Sequence, residues 1–144
     1  MSSDVENKYV IFKLCKEYYG ISIDNVISIE KMGQTTRIPN APDYVKGVIN
    51  LRGEVVPVIN LRSKLGMESD DSSSNNSRVV VVTVNEIIAG LIVDSSSEVL
   101  EIDKENIDKP PANEDNQFVE YISGIGKTSD RLIILLNLTK ILEY

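Results

Sequence analysis

Side chains that could do chemistry are sparse in this sequence. It contains no histidine, which removes the commonest general acid–base group and the commonest metal ligand. Cys15 is the one cysteine, so neither a standard zinc site nor an internal disulfide can be built. Catalysis would have to rest on carboxylates and lysines, and these are scattered through turn-like stretches. Two groupings come nearest to a site. Gly124-Ile125-Gly126-Lys127-Thr128 has the ending of a phosphate-binding loop, but the full motif needs a glycine five residues before Gly126, where Tyr121 stands. It also leads into 131–136, which reads as a strand where the motif requires a helix, so a hairpin turn explains it better. Asp103, Glu105 and Asp108 suggest a calcium loop, but Pro110-Pro111 follows and the required glycine and terminal glutamate are absent. No catalytic residue, metal ligand or cofactor site is assigned.

The stretch 46–61 is more informative. It reads KGVINLRGEVVPVINL, two apolar runs around Arg52-Gly53. Gly47 suits a close-packed or strained backbone, and Gly53 a turn with positive φ. The pattern predicts a hairpin of 48–52 against 54–61, with Arg52 near its tip. Pro57 has no N–H for a ladder, so its strand is expected at an edge or at a bulge. By spacing alone, Arg52 is either a solubilising surface group or a contact residue.

The elements that must hold this hairpin are nearly all strands. Alternating or β-branched runs predict strands at 9–15, 20–23, 26–29, 48–52, 54–61, 79–84, 87–93, 99–102, 121–125 and 132–136, with a turn at 16–20. The unbroken apolar run 79–84 predicts a strand buried on both faces. Helix signals are confined to 61–65, ended by Gly66, and to 138–144, capped by Asn137. The polar stretches 67–77 and 103–117 read as solvated loops. Short strands at this spacing imply small barrels or a sandwich.

Length and composition fit one soluble domain: 144 residues, 42% hydrophobic and 26% charged. A net charge of −7 repels phosphate backbones, which argues against nucleic acid as a partner. No apolar run approaches a membrane span, and the N-terminal MSSDVENK lacks a signal-peptide profile, so a cytoplasmic location without membrane insertion is expected.

The two halves repeat in order. Val10, Phe12, Leu14, Gly20 and Asp24 correspond to Val80, Val82, Val84, Gly90 and Asp94 at one constant offset. The segment 26–31 matches 99–104 after a small insertion of serines, and Gly47, Asn60 and Leu61 match Gly124, Asn137 and Leu138 at a second offset. The expectation is one domain over 1–144 with halves 8–66 and 78–144 joined by 67–77. Each half supplies a five-strand unit too small to bury much alone, so the two share an apolar seam. Periodicity leaves open whether strands are exchanged between them.

The 46–62 stretch, KGVINLRGEVVPVINLR, resembles the signature hairpin of the CheW family of chemotaxis coupling proteins. YYGISIDNV, TRIPNAPDYVKGVINLRG, AGLIVDSSSEVL and RLIILLNLTKIL extend the likeness over nearly the whole chain. The resemblance implies a mostly β fold of two small five-stranded barrels side by side with a short C-terminal helix. It implies a non-catalytic adaptor that binds the cytoplasmic tip of a chemotaxis receptor and the regulatory domain of the kinase CheA, with mixed rings of adaptor and kinase as a further assembly. Carried onto this chain, Arg52 matches the receptor-contacting arginine, Asn50 and Gly53 are its hairpin neighbours, and Val26 and Ile29 fall on the strand lining the same groove. Ser28 departs from relatives that carry glutamate there. Val80, Val82, Leu91 and Val99 are where kinase-binding apolar surface is sought, with core as the competing reading. An adaptor of a non-flagellar chemosensory pathway and an oligonucleotide-binding small barrel are the alternatives; the acidity and the lack of tryptophan weigh against the second.

Overall fold

The computed structural model describes residues 7–67, 76–110 and 117–143. Its elements are β1 (Lys8–Leu14), β2 (Glu17–Ser22), β3 (Val26–Lys31), β4 (Val45–Leu51), β5 (Glu54–Asn60), α1 (Leu61–Lys64), β6 (Arg78–Val84), β7 (Ile87–Val93), β8 (Ser95–Glu101), β9 (Ile107–Asp108), β10 (Ile122–Lys127), β11 (Leu132–Leu136) and α2 (Leu138–Ile141). One sheet runs β8-β1-β2-β11-β10-β9 and the other β3-β6-β7-β5-β4.

The question of exchange is thereby answered. β1 and β2, from the first half, pair with β8 and β11 of the second. β6 and β7, from the second half, pair with β3 and β5 of the first. Each half thus gives its leading hairpin to the other's sheet, and under the sequence repeat the five strands of the second sheet match the order of the first, which adds β9 as a sixth.

Exchange places both hairpins against the shared seam. Val10, Phe12, Leu14, Tyr19 and Ile21 of one sheet meet Val80, Val82, Ala89, Leu91 and Val93 of the other in one buried cluster, with Leu61, Leu138 and Ile141 from the helical turns. Phe12 and Tyr19 stack with ring centroids 6.1 Å apart. Burial, with Glu17 and Cys15 nearby, pushes the Tyr19 phenol up to about 12. A smaller cluster of Ile11, Ile102, Ile133 and Leu135 fills the inside of the first sheet. The predicted doubly buried strand is β6, in which Val79, Val80, Val81 and Val82 are all buried.

The helical turns repeat too. Asn60 and Asn137 cap α1 and α2 by accepting from the N–H groups of Ser63 and Lys140, at 3.4 and 3.2 Å. Their own N–H groups donate to the carbonyls of Tyr44 and Tyr121, at 2.7 and 2.8 Å. Lys64 Nζ lies over both tyrosine rings, 4.1 and 5.6 Å from their centroids, and so ties the halves together. On the opposite side Arg62 grips Asp94 with two nitrogens, and the same carboxylate accepts the Cys15 N–H at 2.6 Å.

Four expectations are corrected. The turn placed at 16–20 is only the Cys15-Lys16 pair, with Cys15 at φ 57°, because burying Tyr19 draws Glu17 to Tyr19 into the strand. The strand predicted to start at Val99 starts at Ser95, so the inserted serines lengthen β8, with a bulge between its pairings to Ile11 and Phe12. The loop at 103–117 contains β9, paired with β10, while 111–116 and 68–75 lie outside the described residues. Finally, β5 is an interior strand and not an edge, although a bulge between Val45 and Gly47 does interrupt its pairing with β4, one residue from Pro57. Val48 both donates to and accepts from Thr36, so the opposed Val48–Pro57 pair is a non-bonded one and the proline nitrogen faces away from β4. It points toward β7, one residue before that parallel ladder begins at Val58.

Candidate functional site

The β4–β5 hairpin closes with Leu51 opposite Glu54, leaving Arg52 and Gly53 as a two-residue loop. Both are left-handed, at φ 52° and 90°. This is the turn whose twist matches that of paired strands, and it ordinarily takes asparagine or glycine at its first position. An arginine there costs about 1 kcal/mol of backbone strain. Asn50 offsets part of it, since its Oδ1 accepts the Gly53 N–H at 2.9 Å and pins the loop. The result is a cationic tip held on a rigid ladder.

In each sheet the last hairpin reaches the far edge strand. Arg52 Nη2 lies 3.6 Å from Glu30 Oε2 on β3, and Arg131, beside the β10–β11 turn, lies 2.6 Å from Glu98 on β8. The two arginines differ in environment. Arg131 stacks on the Tyr18 ring, 4.4 Å away, and its side chain is 22% exposed. Arg52 is 74% exposed and, among the described residues, its ion-pair contact is a long surface one, worth little in water. Of this pair, Arg52 is the one available to another molecule.

β3 alternates. Ile27, Ile29 and Lys31 face outward, whereas Val26, Ser28 and Glu30 are partly covered. Val26 and Ile29 therefore do not share a face. Val26 packs against the seam, and the outward apolar pair is Ile27 with Ile29. Ile27 was missed in the sequence, although stepping back two residues from Ile29 reaches it. Ser28 Oγ is buried without a hydrogen-bond partner among the described residues. Val55, opposite Asn50 beside the tip, is 72% exposed and was also missed; of two successive valines in a strand, one must point out.

The second-half assignments fare differently. Val80, Val82 and Leu91 have no exposed surface and belong to the seam, so no partner can reach them in the folded chain. They are withdrawn as contact residues: their faces are consumed where the exchanged hairpins meet. Val99, on β8, is half exposed and stays available, as does Leu132 on β11. Those two lie on different strands of the first sheet, β8 and β11, beside the residues of the Arg131–Glu98 pair.

Acid–base chemistry has little to work with. A cleft of about 380 Å³ between the halves is lined by Tyr9, Ser22, Asn25, Ser123, Asn137 and Thr139 among apolar neighbours, with no carboxylate or amine. Burial raises the Tyr9 phenol further from neutrality. Gly124, Gly126 and Lys127 sit within β10, and the turn after them closes with Thr128 N–H donating to the Arg131 carbonyl at 3.0 Å, so no phosphate loop forms. Lys127 pairs instead with Asp108 at 3.3 Å. No helix among the described residues is long and apolar enough to cross a membrane.

Residues 8–144 match the family model of the CheW-like domain. Chemotaxis protein CheW of Helicobacter pylori is 39% identical, over 94% of this chain and 81% of the relative. Chemotaxis protein CheW of Klebsiella aerogenes is 38% identical, over 96% and 83%. The crystal structure of the scaffolding protein TtCheW from Thermoanaerobacter tengcongensis superposes with a TM-score of 0.86 at 37% identity, covering 96% of this chain and 88% of that one.

Proposed function

The chain belongs to the CheW family, and from that membership we propose that it works as a non-catalytic adaptor joining chemotaxis receptors to the histidine kinase CheA. The observation carrying this reading is the exposed Arg52 on a strained, pinned turn, flanked by outward Ile27, Ile29 and Val55. Strained backbone clusters at functional sites, which supports a contact role for an exposed arginine held this way. An amphipathic helical receptor tip would lay its apolar face on the isoleucines and Val55 and meet Arg52, with Asn50 and Gly53, at the rim.

The kinase's regulatory domain takes a separate surface in the second half, of which Val99 is the retained member. Holding both proteins raises the effective concentration of kinase beside receptor without any chemical step. If the receptor's signalling states fit the Arg52 surface unequally, the difference in binding free energy passes to the kinase. Mixed rings of adaptor and kinase extend the same contacts, and the protein then acts at the cytoplasmic face of receptor arrays.

Arg52→Asp is expected to weaken binding of a soluble receptor signalling fragment by about 2 kcal/mol, roughly thirtyfold in Kd. Its affinity for the kinase regulatory domain and its melting temperature should stay at wild-type values. Undiminished receptor affinity in titration calorimetry would remove Arg52 from the interface.

A further inference from the structure

A cavity of about 410 Å³ opens at the other end of β4 from Arg52. It is lined by Thr35 and Arg37, by Asp43, Val45 and Lys46, and by Asn60 and Ser63, so its wall is mostly polar. That volume is in the range of small-ligand sites. Backbone hydrogen bonds hold each wall. Thr36 exchanges two with Val48, at 2.9 and 2.8 Å, which clamps the 35–37 strap onto β4. Val45 donates to the Pro42 carbonyl at 2.9 Å, and Asn60 to that of Tyr44 at 2.7 Å. The rim is therefore set before any ligand arrives.

The charges in this cavity are uncommitted. Arg52, Arg62 and Arg131 make ion pairs and Arg78 bonds to a carbonyl, whereas Arg37 makes neither among the described residues. Lys46 and Asp43 likewise form no ion pair there, with each other or with Arg37. Two cations and one carboxylate leave a locally positive pocket on a molecule of net charge −7. Arg37, Asp43 and Lys46 are exposed at its rim, and an excess of positive charge around a cavity in an acidic surface concentrates anions.

We propose that this pocket binds a small free oxyanion, a carboxylate or phosphate compound. Arg37 and Lys46 neutralise its charge, and the hydroxyls of Thr35 and Ser63 donate to its oxygens. Asp43 accepts a hydrogen bond from the ligand, which favours an anion carrying its own O–H or N–H over a bare carboxylate.

The test is titration of the full-length, 15N-labelled chain with sodium phosphate and, separately, sodium acetate, at an ionic strength held constant with sodium chloride. Saturable amide shifts at Arg37, Lys46, Gly47 and Ser63 are expected, stronger for hydrogen phosphate than for acetate. The double variant R37Q/K46Q should weaken both by about tenfold or more, and Asp43→Asn should tighten acetate. The double variant should still bind receptor fragment and kinase domain as the wild type does. Shifts that do not saturate, or that persist unchanged in the double variant, overturn the proposal. Loss of partner binding in the double variant also overturns it, by assigning the oxyanion to a protein side chain.

Discussion

Gly47→Val should lower the stability of the fold by about 3 kcal/mol or more, a fall of about 10 °C in melting temperature. A Cβ at Gly47 would sit 2.4 Å from the Thr36 carbonyl oxygen and 3.3 Å from the Arg37 Cα, with φ at 155°. Both are backbone atoms, fixed by the paired Thr36–Val48 bonds, so no rotamer change relieves the clash. The strap must lift, and with it goes the cover on the outer edge of β4. Gly53 supplies the contrast. Its φ is 90° but nothing lies within 4 Å of its missing Cβ, so Gly53→Ala should lose only about 1 kcal/mol, from backbone strain. Thermal unfolding followed by circular dichroism separates the two. Equal melting temperatures for the two variants would mean that the strap does not press on Gly47.

Leu91→Ala should cost about 2–5 kcal/mol of stability, because Leu91 is fully buried where both exchanged hairpins meet. Val99→Ala, half exposed on β8, should stay within about 0.5 kcal/mol of wild type. Urea denaturation gives both numbers. Kinase-domain binding, measured where each variant is fully folded, should be unchanged in the Leu91 variant and weakened in the Val99 variant. Stability near wild type combined with lost kinase affinity for Leu91→Ala would reverse the assignment of that residue to the core.

Much of this architecture is legible in the residues. The repeat of Val10, Phe12 and Leu14 as Val80, Val82 and Val84 does mark equivalent strands, and Asn60 and Asn137 do cap equivalent helical turns. Exchange of the leading hairpins was not legible. Periodicity reports which face of a strand is apolar, and that face is the same whichever half supplies the neighbours. The same limit explains Val80 and Val82 on β6 and Leu91 on β7: an apolar run is compatible with burial on one side or two, and only the pairing partners reveal that no side is left for a partner. Pro57 misled for a related reason, since a proline shows that an N–H is missing but not toward which neighbour it would have pointed. At the site, Arg52, Asn50 and Gly53 were placed correctly on the tip by turn chemistry together with family likeness. Ile27 and Val55 needed only strict alternation, counted back from Ile29 along β3 and outward from buried Val56 on β5.

Co-sedimentation with membrane-anchored receptor signalling fragments, with and without CheA, tests the adaptor account most directly. The wild-type chain should pellet with receptor alone and should carry CheA down in proportion to the amount bound, while Arg52→Asp leaves both receptor and CheA poorly coupled. Equal recovery of CheA in the pellet whether or not this chain is present would contradict the account.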